Sequence, residues 1–205
     1  MSILQDGTGT SISAKVDKNN QLHVFSVSES EQNAAVEDGD AYNINTGLIA
    51  LTGTSDSAIL FIKNDEAPVN GESDLVIDTV IIGIFPRTAT VETAKNNMVT
   101  IIRNPTAGTV VDDATACPMK SNANFGSSNE LDSLIYIGAD GKTLTDGSDH
   151  AIIMCSEGRT TIPQLHIDLP KGSSIGIKVD LNTSGGASVY AAVVCHRKDG
   201  NNNRS

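Results

Sequence analysis

Apolar residues recur at every second position through the last third of the chain. Ile175, Ile177, Val179 and Leu181 fall on one side of an extended backbone; Ser174, Gly176, Lys178 and Asp180 fall on the other. The alternation resumes after Asn182-Thr183-Ser184-Gly185-Gly186 with Val189, Ala191, Val193 and Cys195. Period-2 apolarity on both sides of a glycine-containing turn predicts a β-hairpin with one face in a core. Most other apolar runs are short, β-branched and bounded by Gly, Asn, Asp, Ser or Thr. They predict strands at 21–27, 48–52, 58–63, 75–85, 98–103, 134–138, 151–155, 161–169, 174–181 and 188–196. The run 75–85 carries Asp78, Thr79 and Gly83 within it, which favours a bent or bulged strand over a helix. So many short strands with polar turns predict an all-β fold, an antiparallel β-sandwich of jelly-roll-like form.

The segments between strands differ in kind. Residues 1–19 are polar and rich in Gly, Thr and Ser, with Ile3, Leu4 and Ile12 as isolated apolar points. Such a segment builds no core of its own and reads as an extended N-terminal arm. Residues 28–38 carry an acidic start, Ala34, Ala35 and Val36, and then Gly39, the pattern of a short helix. The longest irregular stretch is 104–130, with Pro105, Gly108, Pro118 and Gly126; a loop of that length is a candidate contact loop. The expected organisation is an arm at 1–19, one sandwich domain at 20–198 and a flexible tail at 199–205.

Composition narrows the function. A chain of 205 residues buries about 70% of its unfolded surface without staples. With aromatics at 3% and no Trp, the core is aliphatic, which argues against an aromatic sugar platform or a base-stacking module. A net charge of −11 repels nucleic acid and anionic membranes, so neither is expected as a partner. No apolar run approaches the length of a membrane span, and Met1–Gly7 has neither the basic nor the apolar region of a signal peptide. Cys117, Cys155 and Cys195 are scattered and odd in number, as in a protein folded in a reducing cytosol.

Candidate chemistry is thin. Gly172-Ser173-Ser174-Ile175-Gly176 matches the nucleophile-elbow pattern, but the sequence after it continues as a strand where a helix is required. Gly7-Thr8-Gly9 lacks the third glycine of a dinucleotide loop, since position 12 is Ile. Asp38-Gly39-Asp40, Asp112-Asp113 and Asp140–Asp149 are acidic enough for calcium, yet from Asp140 the third and fifth positions are Lys142 and Leu144. His23, His150, His166 and His196 are dispersed; His166 and Asp168 share the outward face of one strand. The sequons at Asn182 and Asn203 mean nothing without secretion. No enzyme activity, metal or cofactor is expected.

Two stretches carry a resemblance. MSILQDGTGTSISAKVDKNNQLHVFSVSESE, followed by GDAYNINTGLIALTGTSDSAILFIKNDE, resembles the opening of a group of tailed-phage virion proteins. LPKGSSIGIKVDLNTSGGASVYAAVVCHRK is similar to the last hairpin of jelly-roll capsid decoration domains. The similarity covers the first 65 residues well, the last 35 moderately and the middle poorly, and none of it is an active-site motif. It implies a cement or decoration protein of a double-stranded DNA phage head, assembled in the host cytoplasm. Its partner would be the major capsid protein, and its state a homotrimer seated on a capsid three-fold. The arm is then the expected tether, with Ile3, Leu4, Asp6, Gly7, Gly9 and Ile12 as the contact residues. The alternatives are a tail or fibre component that binds a host receptor, a non-viral ligand- or carbohydrate-binding sandwich, and, last, a hydrolase.

Overall fold

The computed structural model describes residues 30–53, 56–67, 74–87, 96–182 and 185–198. The expected arm, the strand at 21–27, the tail and all six expected contact residues lie outside the described residues.

The described chain opens with a short helix, α1 (Glu31–Asp38), as its acidic start and following glycine predict. Gly39 ends it at φ 78°, a left-handed conformation that favours glycine, and the Asp40 amide donates back to the Ala35 carbonyl. Strands follow: β1 (Ala41–Asn45), β2 (Ile49–Leu51), β3 (Ser57–Lys63), β4 (Leu75–Pro86) and β5 (Asn96–Arg103). After a single helical turn, α2 (Thr109–Asp112), come β6 (Thr115–Ala116), β7 (Met119–Asn122), β8 (Leu134–Ile137), β9 (Ser148–Ser156) and β10 (Arg159–Thr161). The chain closes with β11 (Gln164–Leu169), β12 (Ser174–Asp180) and β13 (Ala187–Arg197).

These strands form two antiparallel sheets. One runs β10-β4-β13-β1-β7, with β11 also on β4 and β2 on β13; the other runs β6-β8-β3-β12-β5-β9. With the short β2, β6, β7, β8 and β10 set aside, the sheet orders are β1-β13-β4-β11 and β3-β12-β5-β9. Strands exchange sheets between β1 and β3, β3 and β4, β4 and β5, β9 and β11, β11 and β12, and β12 and β13. That is the double Greek key of a jelly roll.

The closing pair corrects the expected hairpin. β12 lies between β3 and β5 in one sheet, and β13 lies between β4 and β1 in the other. Alternation fixes which face a strand buries and says nothing about its hydrogen-bonded neighbour. Ile175, Ile177, Val179, Leu181, Val189, Ala191, Val193 and Cys195 are all buried as expected, but they meet across the core from opposite sheets.

Three further differences have local causes. The expected strand 161–169 is two strands, because Pro163 has no amide to donate to a ladder and separates β10 from β11. The stretch 104–130 is less irregular than its composition suggests, since it contains α2, β6 and β7. β1 is not among the expected strands: Tyr42 and Ile44 are its large apolar residues, each followed by an asparagine, yet both Tyr42 and Ile44 are buried. The bulge expected in 75–85 is present. Cys195 pairs Ile77 and Val194 pairs Thr79, leaving Asp78 as the extra residue of β4.

A smaller cluster covers part of the outer side of the second sheet, where Val110 of α2 and Leu144 pack on Ala58, Phe61 and Ile102. Gly176 makes room for it: a Cβ there would sit 2.5 Å from Leu144 Cδ1.

Candidate interaction surface

The loop after β7 is built by asparagines. The Asn124 amide donates to Asn122 Oδ1 at 2.8 Å, and Gly126 N donates to Asn124 Oδ1 at 3.0 Å. These are side-chain turns of the type that Asn forms readily. The same side chains tie the loop to the end of α1. Asn122 Nδ2 donates to the Gly39 carbonyl at 2.6 Å, Asn124 Nδ2 to Glu37 at 3.1 Å and Asn129 Nδ2 to Asp38 at 3.4 Å. At the tip of this braced loop Phe125 is 96% exposed. The hydrogen bonds order the backbone beneath the ring, so a contact made by Phe125 would leave little loop entropy to lose.

Behind the loop lies a buried ionic network. Glu66, 1% exposed, accepts from the amide and hydroxyl of Ser133, both at 2.6 Å, and pairs with Arg197 Nη2 at 2.6 Å. The Arg197 guanidinium lies 5.4 Å over the Tyr42 ring, 3.6 Å from Asp40 Oδ1, and Nη2 also donates to the Glu130 carbonyl. Lys120 Nζ donates to the Leu131 carbonyl at 2.8 Å and Lys171 Nζ to the Glu66 carbonyl at 2.9 Å. The segment 130–133 is thus fastened to β1, β7 and β13, and it carries the base of the Phe125 loop.

Tyr42 reports on this network. Burial pushes its phenol up from 10.0 to about 12, with Asp40, Glu66 and Cys195 adding to the rise and the Arg197 cation opposing it. A phenol that ionises later in the folded than in the unfolded state contributes stability below pH 10, and that contribution is lost as pH rises towards 12. A displacement of this size corresponds to about 2.7 kcal/mol, which screening by solvent in the cleft that Tyr42 lines with Lys120 and Glu130 reduces to about 1–2 kcal/mol. Urea unfolding at pH 9 and pH 12 is expected to show that loss in the wild type and a smaller loss in Tyr42→Phe.

The residues singled out in the sequence take structural places. Ser174, the centre of the elbow-like motif, is buried in β12 and donates to the Pro105 carbonyl at 2.7 Å, and no helix follows it. Asp140 accepts from the Thr52 amide at 2.9 Å and hydroxyl at 2.7 Å, bonds that hold its carboxyl below the usual range. Asp113 pairs with Lys142 at 2.8 Å. Among the described residues no group of three or more His, Cys, Asp or Glu is placed to hold a metal ion. Cys117, Cys155 and Cys195 are buried thiols, and burial pushes the Cys155 and Cys195 thiols up, away from the reactive thiolate. His166 and Asp168 do face outward, both exposed.

Sequence reasoning missed the pairing of Asp78 with His196, whose Oδ2 and Nδ1 lie 2.9 Å apart, both residues buried. The bulge in β4, matched by a register shift in β11 at His166 (φ 47°), gathers Asp78, His166 and His196, with His166 Nδ1 at 3.8 Å from Asp78 Oδ1. The only advance signal was an aspartate inside the longest apolar run.

Two other features face solvent. β9 pairs only β5 among the described strands, and Ile152 and Met154 stand exposed on it. Between the sheets, where β5, β9 and β12 face β11, a cleft of about 290 Å³ opens, with Arg103, His150 and Asp168 among its lining residues.

The described geometry defines a jelly-roll sandwich with exposed apolar side chains on a braced loop and on β9. The chain matches no protein-family model and no curated protein. Among solved structures it is similar to the crystal structure of a Yersinia pseudotuberculosis-derived mitogen, at 10% identity over 80% of this chain and 92% of that one, with a TM-score of 0.29. That likeness is too slight to bear on fold or function.

Proposed function

We propose that this chain is a virion structural protein, a cement or decoration protein that binds the head shell of a tailed phage and stabilises it. The observation that carries the reading is Phe125, an exposed aromatic on a loop braced by three asparagines and by the Glu66–Arg197 network. A side chain so presented suits adhesion to a fixed protein surface, where a few rigid apolar anchors supply most of the binding energy. Two further facts support it: the jelly-roll strand order, an architecture used by capsid domains, and the resemblance of the N-terminal and closing segments to phage virion and decoration proteins. In this reading the major capsid protein is the partner, the protein assembles as a homotrimer, and residues 1–19 add a second tether to the Phe125 loop. Many copies on a regular shell compensate for weak single contacts.

The test is co-sedimentation of the purified protein with heads assembled without it. Saturable binding, with heads that then withstand heat or chelation better, is the expected outcome. Heads that leave the protein in the supernatant at micromolar concentration would contradict the proposal.

A further inference from the structure

We propose that the cleft between the sheets is a binding site for an aliphatic carboxylate. This inference does not rest on the shell-binding reading.

The cleft encloses about 290 Å³, at the small end of ligand cavities. Its floor is aliphatic: Ile101 from β5, Ile175 from β12 and Ile167 from β11. Its rim is polar, with Arg103, His150 and Asp168. His150 reaches the rim through a break in register. Ile101 pairs Ala151 and Ile102 pairs Asp149, so His150 is the extra residue of a β-bulge, a device that re-aims a side chain at a sheet edge.

Charge then selects the ligand's head group. Asp168, the acid of the rim, lies 3.4 Å from Lys198 Nζ and is compensated. Arg103 and His150 are both exposed, and among the described residues neither side chain forms a hydrogen bond or ion pair. A guanidinium remains charged throughout the accessible pH range and presents a planar fork that matches a carboxylate; an imidazole N–H beside it donates one more bond. In a chain of net charge −11, an uncommitted cation at the mouth of an apolar cleft is the local exception. A short hydrocarbon on Ile101, Ile167 and Ile175, ending in a carboxylate at Arg103, satisfies both halves of the site. That chemistry comes either from a free alkanoate or from the C-terminal Leu or Ile of an extended peptide.

The experiment is isothermal titration of the full-length protein with sodium hexanoate, with 1-hexanol, and with a tetrapeptide ending in leucine as the free acid and as the amide. The proposal expects saturable binding of hexanoate or of the free-acid peptide, little or none of the alcohol and amide, and at least a tenfold loss in Arg103→Gln. Hexanoate alone marks a small-molecule site, and the free-acid peptide alone marks a chain-terminus site. Circular dichroism and the melting temperature of Arg103→Gln, unchanged for so exposed a residue, keep the comparison valid; His150→Phe, which loses the second donor, serves as an independent variant and is expected to weaken binding as well. The proposal is overturned if the alcohol binds as well as the acid, if both variants bind as the wild type does, or if neither carboxylate probe binds.

Discussion

Replacing Glu66 with alanine is expected to cost about 3–5 kcal/mol of folding stability, the range for stripping one partner from a buried ion pair. The substitution removes the acceptor of both Ser133 bonds and the counter-charge of Arg197, which lies 16% exposed against the Tyr42 ring. The loss arises chiefly from what stays behind, a Ser133 amide with no acceptor and a guanidinium stripped of its nearest counter-charge and left with Asp40 at 3.6 Å, in a place that water reaches poorly. Glu66→Gln keeps an acceptor for Ser133 and is expected to lose less. Glu66→Leu combined with Arg197→Met, which removes both charges, is expected to recover much of the stability. Urea unfolding measures all three. A loss below about 1 kcal/mol in Glu66→Ala, the value of a surface pair, would show that the network is solvated and does not brace the loop.

Phe125→Ser is expected to act on binding and not on folding. The ring is 96% exposed, so its removal takes away no buried contact, and the melting temperature is expected to stay within experimental error. On the shell, an aromatic anchor that enters a pocket contributes about 2 kcal/mol, so the dissociation constant for undecorated heads is expected to rise roughly 30-fold. The Asn124→Ala variant tests the brace separately. It releases the bonds to Glu37 and Gly126 while leaving the ring in place, and a smaller loss of affinity, arising from a floppier loop, is expected. Wild-type affinity in Phe125→Ser would move the contact to other residues, with Ile152 and Met154 on the open edge of β9 as the next to test.

What was legible in the sequence was the burial of single strands. Ile175 to Leu181 and Val189 to Cys195 are buried at alternate positions because a half-covered strand must alternate, whatever lies beside it. Pairing was not legible. β12 and β13 look like a hairpin in sequence, since a short polar link serves equally well to turn within a sheet or to cross between sheets. β1 escaped because two asparagines dilute Tyr42 and Ile44, and its place in the sheet is fixed by pairing with β13 and β7 on either side. The bulge at Asp78 was visible as an acid within an apolar run, but its partner His196 lies 118 positions away and no local pattern connects them. Residues 104–130 were legible as a candidate contact loop by their length, glycines and prolines. Phe125 itself was not, because exposure is a property of the loop's asparagine braces and of the neighbouring α1, and those are long-range.

Seating on a phage head, as we propose for this protein, is decided by a reconstruction of intact particles with and without it. Density for this jelly roll is expected on the outer surface of the head, at three-fold or quasi-three-fold positions, with a copy number approaching that of the capsomers. Density confined to the tail or its fibres, at a few tens of copies per particle, or no density on the particle at all, would contradict it.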